Sequence, residues 1–144
     1  GYGGGPRVEV FSGTNYAVLD DFYAFNPAFR GGIVVTAGDM EGNGHADIAV
    51  GVAFGAQGNI RIFSGTDLSL RHEIVAGVSW GVSLAMTDYD GDGLPDLITS
   101  GRFPEQTVSG RAIYKGTDLT FLSDWGDVNA IYHIGYLISG WTAP

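Results

Sequence analysis

Cysteine is absent from the 144 residues, so no disulfide staples this fold and the redox compartment is not readable from thiols. No run approaches 18 apolar residues, which excludes a membrane-spanning helix and membrane insertion by one. No charged-then-apolar segment opens the sequence, and Gly1 reads as a mature or trimmed start. Cations are scarce. Seven Lys+Arg stand against 16 Asp+Glu, and a net charge of −9 argues against nucleic acid as a partner. The three histidines, His45, His72 and His133, sit in unlike contexts, and none has the spacing of a zinc ligand pair. No stretch carries a convincing helical pattern. What is plentiful is glycine, 24 residues, which suits many short strands and tight turns. With 44% hydrophobic and 16% charged residues the chain is globular, and it is long enough for one domain with a core.

The acids are not scattered. Seven of them fall in two loops of one pattern. In Thr87–Gly101, TDYDGDGLPDLITSG, Asp88, Asp90, Asp92 and Asp96 occupy positions one, three, five and nine, with Gly93 at position six. In Gly38–Gly51, GDMEGNGHADIAVG, the same positions hold Asp39, Glu41, Asn43 and Asp47, with Gly44 at six. Oxygen donors at alternating positions can turn inward on one small hard cation, and the glycine permits the sharp turn this needs. Carboxylates so close repel one another without a counter-ion. Both loops therefore read as calcium sites, and two divalent ions would cancel four of the nine net negative charges. An EF-hand requires a bidentate glutamate at position twelve, where this chain has Val50 and Thr99, and β-branched residues follow each loop.

The loops repeat, and so do their surroundings. Asp39 and Asp88 are 49 residues apart; FSGT at Phe11–Thr14 recurs as FSGTDL at Phe63–Leu68 and YKGTDL at Tyr114–Leu119. A period near 50 residues is the length scale of propeller blades. One unit reads as strand, metal loop, strand, glycine loop, strand, FSGT turn, strand. The expected fold is all-β, with propeller blades of four antiparallel strands and about three blade equivalents in an incomplete propeller. The expected boundaries are a half blade over 1–29, whole blades over 30–77 and 78–125, and a half blade over 126–144. The apolar run Gly32–Ala37 is expected to lie buried on both sides near the centre of its blade.

Trp80-Gly81-Val82-Ser83-Leu84-Ala85-Met86-Thr87-Asp88, the loop, and Asp96–Gly101 resemble an FG-GAP repeat, the blade of integrin alpha-chain propellers and of many secreted bacterial repeat proteins. Trp80-Gly81 stands at the Phe-Gly of that family and Gly101 where its Gly-Ala-Pro begins. The earlier copy is looser, with Gly31-Gly32 and Gly51-Val52-Ala53 in those places. The resemblance implies calcium held by Asp88, Asp90, Asp92 and Asp96 with the Leu94 carbonyl, and by Asp39, Glu41, Asn43 and Asp47 with the His45 carbonyl. It implies ions that stiffen blades and take no part in chemistry. Glu41, one methylene longer than the usual residue, is expected to shift or weaken the first site. A degenerate third loop from Gly126, keeping only Asp127 and Asn129, is read as metal-free.

Three functional classes stay open on these residues. The first is a non-enzymatic, extracellular or cell-surface propeller segment with an adhesive, structural or binding role. The second is a calcium-dependent carbohydrate-binding module using Trp80, Trp125, Trp141, Tyr23, Tyr89, Tyr132 or Tyr136 as stacking platforms for a glycan. The third is an accessory propeller of a secreted enzyme. Three blade equivalents are too few to close a ring, so the half blades are expected to pair with another copy or with the remainder of a longer chain. Pairing between copies gives a homo-oligomeric ring or, if the rotation does not close, a filament.

Overall fold

The computed structural model describes residues 3–55, 58–76, 81–101 and 110–124. Ten strands occupy them: β1 (Arg7–Phe11), β2 (Val18–Tyr23), β3 (Ile33–Gly38), β4 (Asp47–Val52), β5 (Gly58–Phe63), β6 (Leu70–Ala76), β7 (Ser83–Thr87), β8 (Asp96–Gly101), β9 (Gly110–Tyr114) and β10 (Phe121–Asp124). No helix occurs among the described residues, and none there is long and apolar enough to cross a membrane. The strands form three antiparallel sheets, none closed: β1-β2, then β3-β4-β5-β6, then β7-β8-β9-β10. Among the described residues this architecture is consistent with the expected incomplete β-propeller.

Each sheet turns on the same six-residue device. In Ser64–Ser69 the Ser64 amide donates to the Ser69 carbonyl (2.9 Å) and the Leu68 amide to the Ser64 carbonyl (3.0 Å). Ser12–Ala17 and Lys115–Thr120 make the same pair of bonds. In all three the fourth residue, Asn15, Asp67 or Asp118, accepts from the amide two residues on, a local bond that competes with further strand pairing and forces the turn. The fifth residue is left-handed each time, Tyr16, Leu68 and Leu119 at φ of 56–59°. A register shift precedes or follows each turn, at Val10/Phe11, Ile62/Phe63 and Phe121/Ser123. The FSGT period in the sequence is thus a period of one bulged hairpin.

The core lies between sheets. β4 is buried along its whole length because both of its faces are covered. Ile48 and Val50 pack with Val8, Ala24 and Phe63 against the β1-β2 sheet. Ala49, on the opposite face, joins Met40, Ile60, Ile62, Val82, Leu97 and Ala112 between the two four-stranded sheets. Each of the large β4 side chains removed from water contributes roughly 1.5–3 kcal/mol. The expectation for Gly32–Ala37 is corrected here. β3 is an edge strand of its sheet and is half-buried at best, with Val35 exposed, although its sequence is as apolar as that of β4.

Neighbouring sheets are also joined through the backbone. The Val82 amide donates to the Val52 carbonyl at 2.9 Å, carrying the chain from β4 of one sheet to the entry of β7 in the next. Gly81, immediately before it, has φ +75°, and Gly32 holds the matching position before β3 at +74°. These two glycines enter their strands through a conformation that side chains resist. At the other junction, Arg61 on β5 donates to the Ala24 carbonyl (2.9 Å), lies over the Phe25 ring and pairs with Glu73.

Candidate metal centre

The second loop joins β7 to β8. Asp88 ends the β7 side, and both of its oxygens accept backbone amides, Gly91 at 2.7 Å and Gly93 at 3.0 Å, which curl the loop around it. Asp90 accepts from Asp92 N (3.1 Å) and Asp92 from Leu94 N (2.9 Å), repeating the local turn. Asp96 opens β8 and is 1% exposed. One of its oxygens accepts from Tyr89 N (2.9 Å) and Asp90 N (3.3 Å) across the loop; the other accepts from Gly116 N (2.9 Å) in the β9–β10 turn. One carboxylate therefore fastens the loop to itself and to the YKGT turn.

Asp88, Asp90 and Asp96 bring ligand oxygens within 4.8 Å of one another, and among the described residues no other acidic or histidine group of three does so. The donor set is all carboxylate, hard and anionic, which suits calcium or another hard divalent ion. A cation already stands beside it. The Lys115 ammonium lies 2.9 Å from Asp90 Oδ2 and 2.8 Å from Asp92 Oδ2. Its hydrogen bonds to those two carboxylates push the Lys115 pKa up, and the same contact holds the Asp92 carboxyl below the ordinary range. The loop thus selects positive charge, and its residues fit a divalent ion.

The first loop joins β3 to β4 and has the same frame with different contents. Asp39 accepts from Asn43 N (3.0 Å) and Gly44 N (2.7 Å); the Gly44 bond is the main cause of its depressed pKa. Asp47 is fully buried, accepting from Met40 N (3.2 Å) and, through its second oxygen, from Gly65 N (3.0 Å) in the FSGT turn. Its other partner is Arg71 of β6, 2.9 Å away, whose guanidinium also reaches Glu41 at 2.8 Å. Asn43 is occupied as well, donating to Glu41 (2.9 Å) and accepting from His45 N (2.8 Å). Asp39, Glu41 and Asp47 do not form a convergent triad.

Sequence reasoning found the loop acids and missed four residues that serve them: Gly65, Gly116, Arg71 and Lys115. A signal for the glycines was present, since a GTDL turn follows each loop, with Gly65 18 residues after Asp47 and Gly116 20 after Asp96. The remaining candidates are less central. Tyr23 is exposed on the β1-β2 sheet, His45 is exposed in the first loop, and His72 is half-buried on β6. Trp80, Trp125, Trp141, Tyr132, Tyr136, His133 and the loop from Gly126 lie outside the described residues. Residues 77–81, GVSWG, spell the G-x-S-x-G string of nucleophile elbows, which the reading of the sequence overlooked. That motif requires a strand-to-helix turn, whereas Gly81 leads into strand β7.

The turn acids give the molecule an acid limit. Asp67 is held below its ordinary value of 3.8 chiefly by the Ser69 hydroxyl, and Asp118 by the Thr120 hydroxyl. A carboxylate whose folded pKa is depressed adds stability above its unfolded pKa and loses it as pH falls through the folded value. Stability is therefore expected to hold from neutrality down to about pH 4 and to fall below it. Urea midpoints between pH 7 and pH 2.5 check this; a midpoint that rises on acidification contradicts it.

With fold and loops in place, the molecule is an all-β assembly of antiparallel sheets that repeats one acidic loop and one bulged hairpin. Residues 39–99 match the family model described as an FG-GAP-like repeat, so this segment, from the first loop through β8, carries an FG-GAP-like repeat. No curated protein matches the chain. No solved structure matches it either.

Proposed function

We propose that this protein is a non-enzymatic, calcium-binding β-propeller segment that works outside the cell in an adhesive, structural or binding role. The observation that carries the reading is the convergence of Asp88, Asp90 and Asp96 in a loop pinned to the next hairpin. Asp88, Asp90 and Asp96, with Asp92 beside them, would hold the ion, and Lys115 on its flexible stem would leave Asp90 and Asp92 for solvent. The ion would supply charge neutralisation and a cross-link between loop arms, which stiffens the β7–β8 connection. Extracellular calcium is millimolar, so a site of modest affinity fills there. In this reading the two four-stranded sheets are whole blades, with expected bounds 30–77 and 78–125, and β1-β2 is a half blade. That half blade exposes Phe11, Val18, Leu19 and Tyr23. Two of its strands are found among the described residues; those that complete it come, in this reading, from the remainder of a longer chain or from a second copy, and a well-folded monomer of 15.2 kDa in light scattering would exclude the second copy.

Calcium bound by the folded state alone adds its binding energy to stability. At a calcium concentration 100-fold above Kd this amounts to about 2.7 kcal/mol, a rise in Tm of roughly 5–10 °C for a domain this size. Melting in calcium and in EDTA tests the reading. Identical curves, together with no calcium uptake by calorimetry, would remove it.

A further inference from the structure

The two loops share a backbone design but draw their cation from different places. In the second repeat it is Lys115, the residue before Gly116; the equivalent residue in the first repeat, before Gly65, is Ser64. In the first repeat it is Arg71, six residues after Gly65; the residue six after Gly116 is Leu122, which packs into an apolar cluster. Each loop is thus supplied with one positive charge by a route the other lacks. The two routes differ in strength. Lys115 is 30% exposed and touches Asp90 and Asp92, leaving Asp88 and Asp96 to amides of the loop and of the YKGT turn. Arg71 is 13% exposed and bridges Glu41 to the fully buried Asp47, positions three and nine of the first loop.

We propose that Arg71 is a built-in counter-ion that closes the first loop without metal, so that calcium enters the second loop alone. The second half of this statement rests on the calcium reading above; the first does not. A guanidinium is planar, always charged and weakly hydrated, which makes it a lasting occupant of a half-buried carboxylate pair, whereas an ammonium on a four-carbon stem leaves readily for water. Amides engage the remaining donors here, as they do in the second loop, so the difference between the loops lies in the cation. Glu41 Oε2 accepts from Asn43, Asn43 Oδ1 from His45 N, Asp47 Oδ1 from Gly65 N, and both Asp39 oxygens from Asn43 N and Gly44 N. A divalent ion entering here must first expel a cation from a buried carboxylate, and breaking such a pair is costly.

Calcium calorimetry on the full chain tests this with variants. The natural protein is expected to take up one equivalent, and Asp90→Asn with Asp92→Asn none. Adding Arg71→Gln to that pair is expected to restore one equivalent and to make Tm calcium-dependent. Arg71→Gln alone is expected to lose roughly 5 °C or more in EDTA and to regain it in calcium. If that variant is recovered only unfolded, refolding on addition of calcium supports the proposal and failure to refold overturns it. Uptake of calcium by Asp90→Asn with Asp92→Asn while Arg71 is intact overturns it, as does an Arg71→Gln variant that neither loses stability nor binds calcium beyond the natural protein's uptake. A natural protein that takes no calcium removes the reading of the second loop. In that case the Arg71→Gln results still decide the role of Arg71.

Discussion

Asp96→Ala is expected to lower the unfolding free energy by roughly 3–6 kcal/mol, enough to leave much of the protein unfolded at 37 °C given stabilities of about 5–15 kcal/mol. The estimate follows from what the carboxylate satisfies. Gly116 N, Tyr89 N and Asp90 N all donate to it, the first in a buried bond, and alanine offers none of them an acceptor. Each orphaned buried amide costs about 1–3 kcal/mol. Asp96→Asn keeps one acceptor oxygen and should cost about half as much. Asp47→Ala should match or exceed Asp96→Ala, because it also takes from the Arg71 guanidinium the buried one of its two carboxylate partners. Urea unfolding measures all three. A loss below about 1 kcal/mol for Asp96→Ala would mean that these bonds do not hold the loop to the hairpin.

The second large effect is expected at Gly116 and Gly65, whose backbones pass so close to the loops that no side chain fits. A Cβ at Gly116 would overlap the Pro95 carbonyl oxygen, and one at Gly65 the Ala46 carbonyl oxygen. Neither neighbour is a flexible tip, so the turn must retreat, and retreat breaks the bond to Asp96 or Asp47. Gly116→Ala should therefore cost about 3 kcal/mol or more, and combining it with Asp96→Ala should add little to the latter alone. Gly13 is the control. It occupies the same place in the first copy of the turn, which has no loop before it among the described residues, and a Cβ there meets open space. Gly13→Ala is expected to change stability by less than about 0.5 kcal/mol. Equal costs at Gly13 and Gly116 would show that the turn itself, not its seat against the loop, demands glycine.

These two effects mark the line between what the sequence displays and what it hides. Alternating acids with a glycine at position six, and strands after each loop, are local patterns, and both loops and the strands read from them are found where those patterns lie. The partner of Asp96 is 20 residues away, so the reason for the recurring FSGT glycine is not written in either segment alone. Strand order is hidden for the same reason. GIVVTA looks more central than DIAVGV, yet β3 is the edge and β4 the buried strand, because burial depends on which sheets stack on each face. Arg71 is the plainest case. An arginine on an edge strand is ordinary in sequence, and only folding brings it to Glu41 and Asp47. Pattern matching reads both loops as calcium sites; the geometry gathers one triad and sets the Arg71 guanidinium against two acids of the other loop.

The most direct test of the whole account is a residue-by-residue calcium titration followed by amide NMR. Shifts are expected only in Asp88–Asp96 and, through Asp96 and Lys115, in the Lys115–Thr120 turn, while Asp39–Asp47 and Arg71 stay still. Equal shifts in both loops, or none in either, would contradict it.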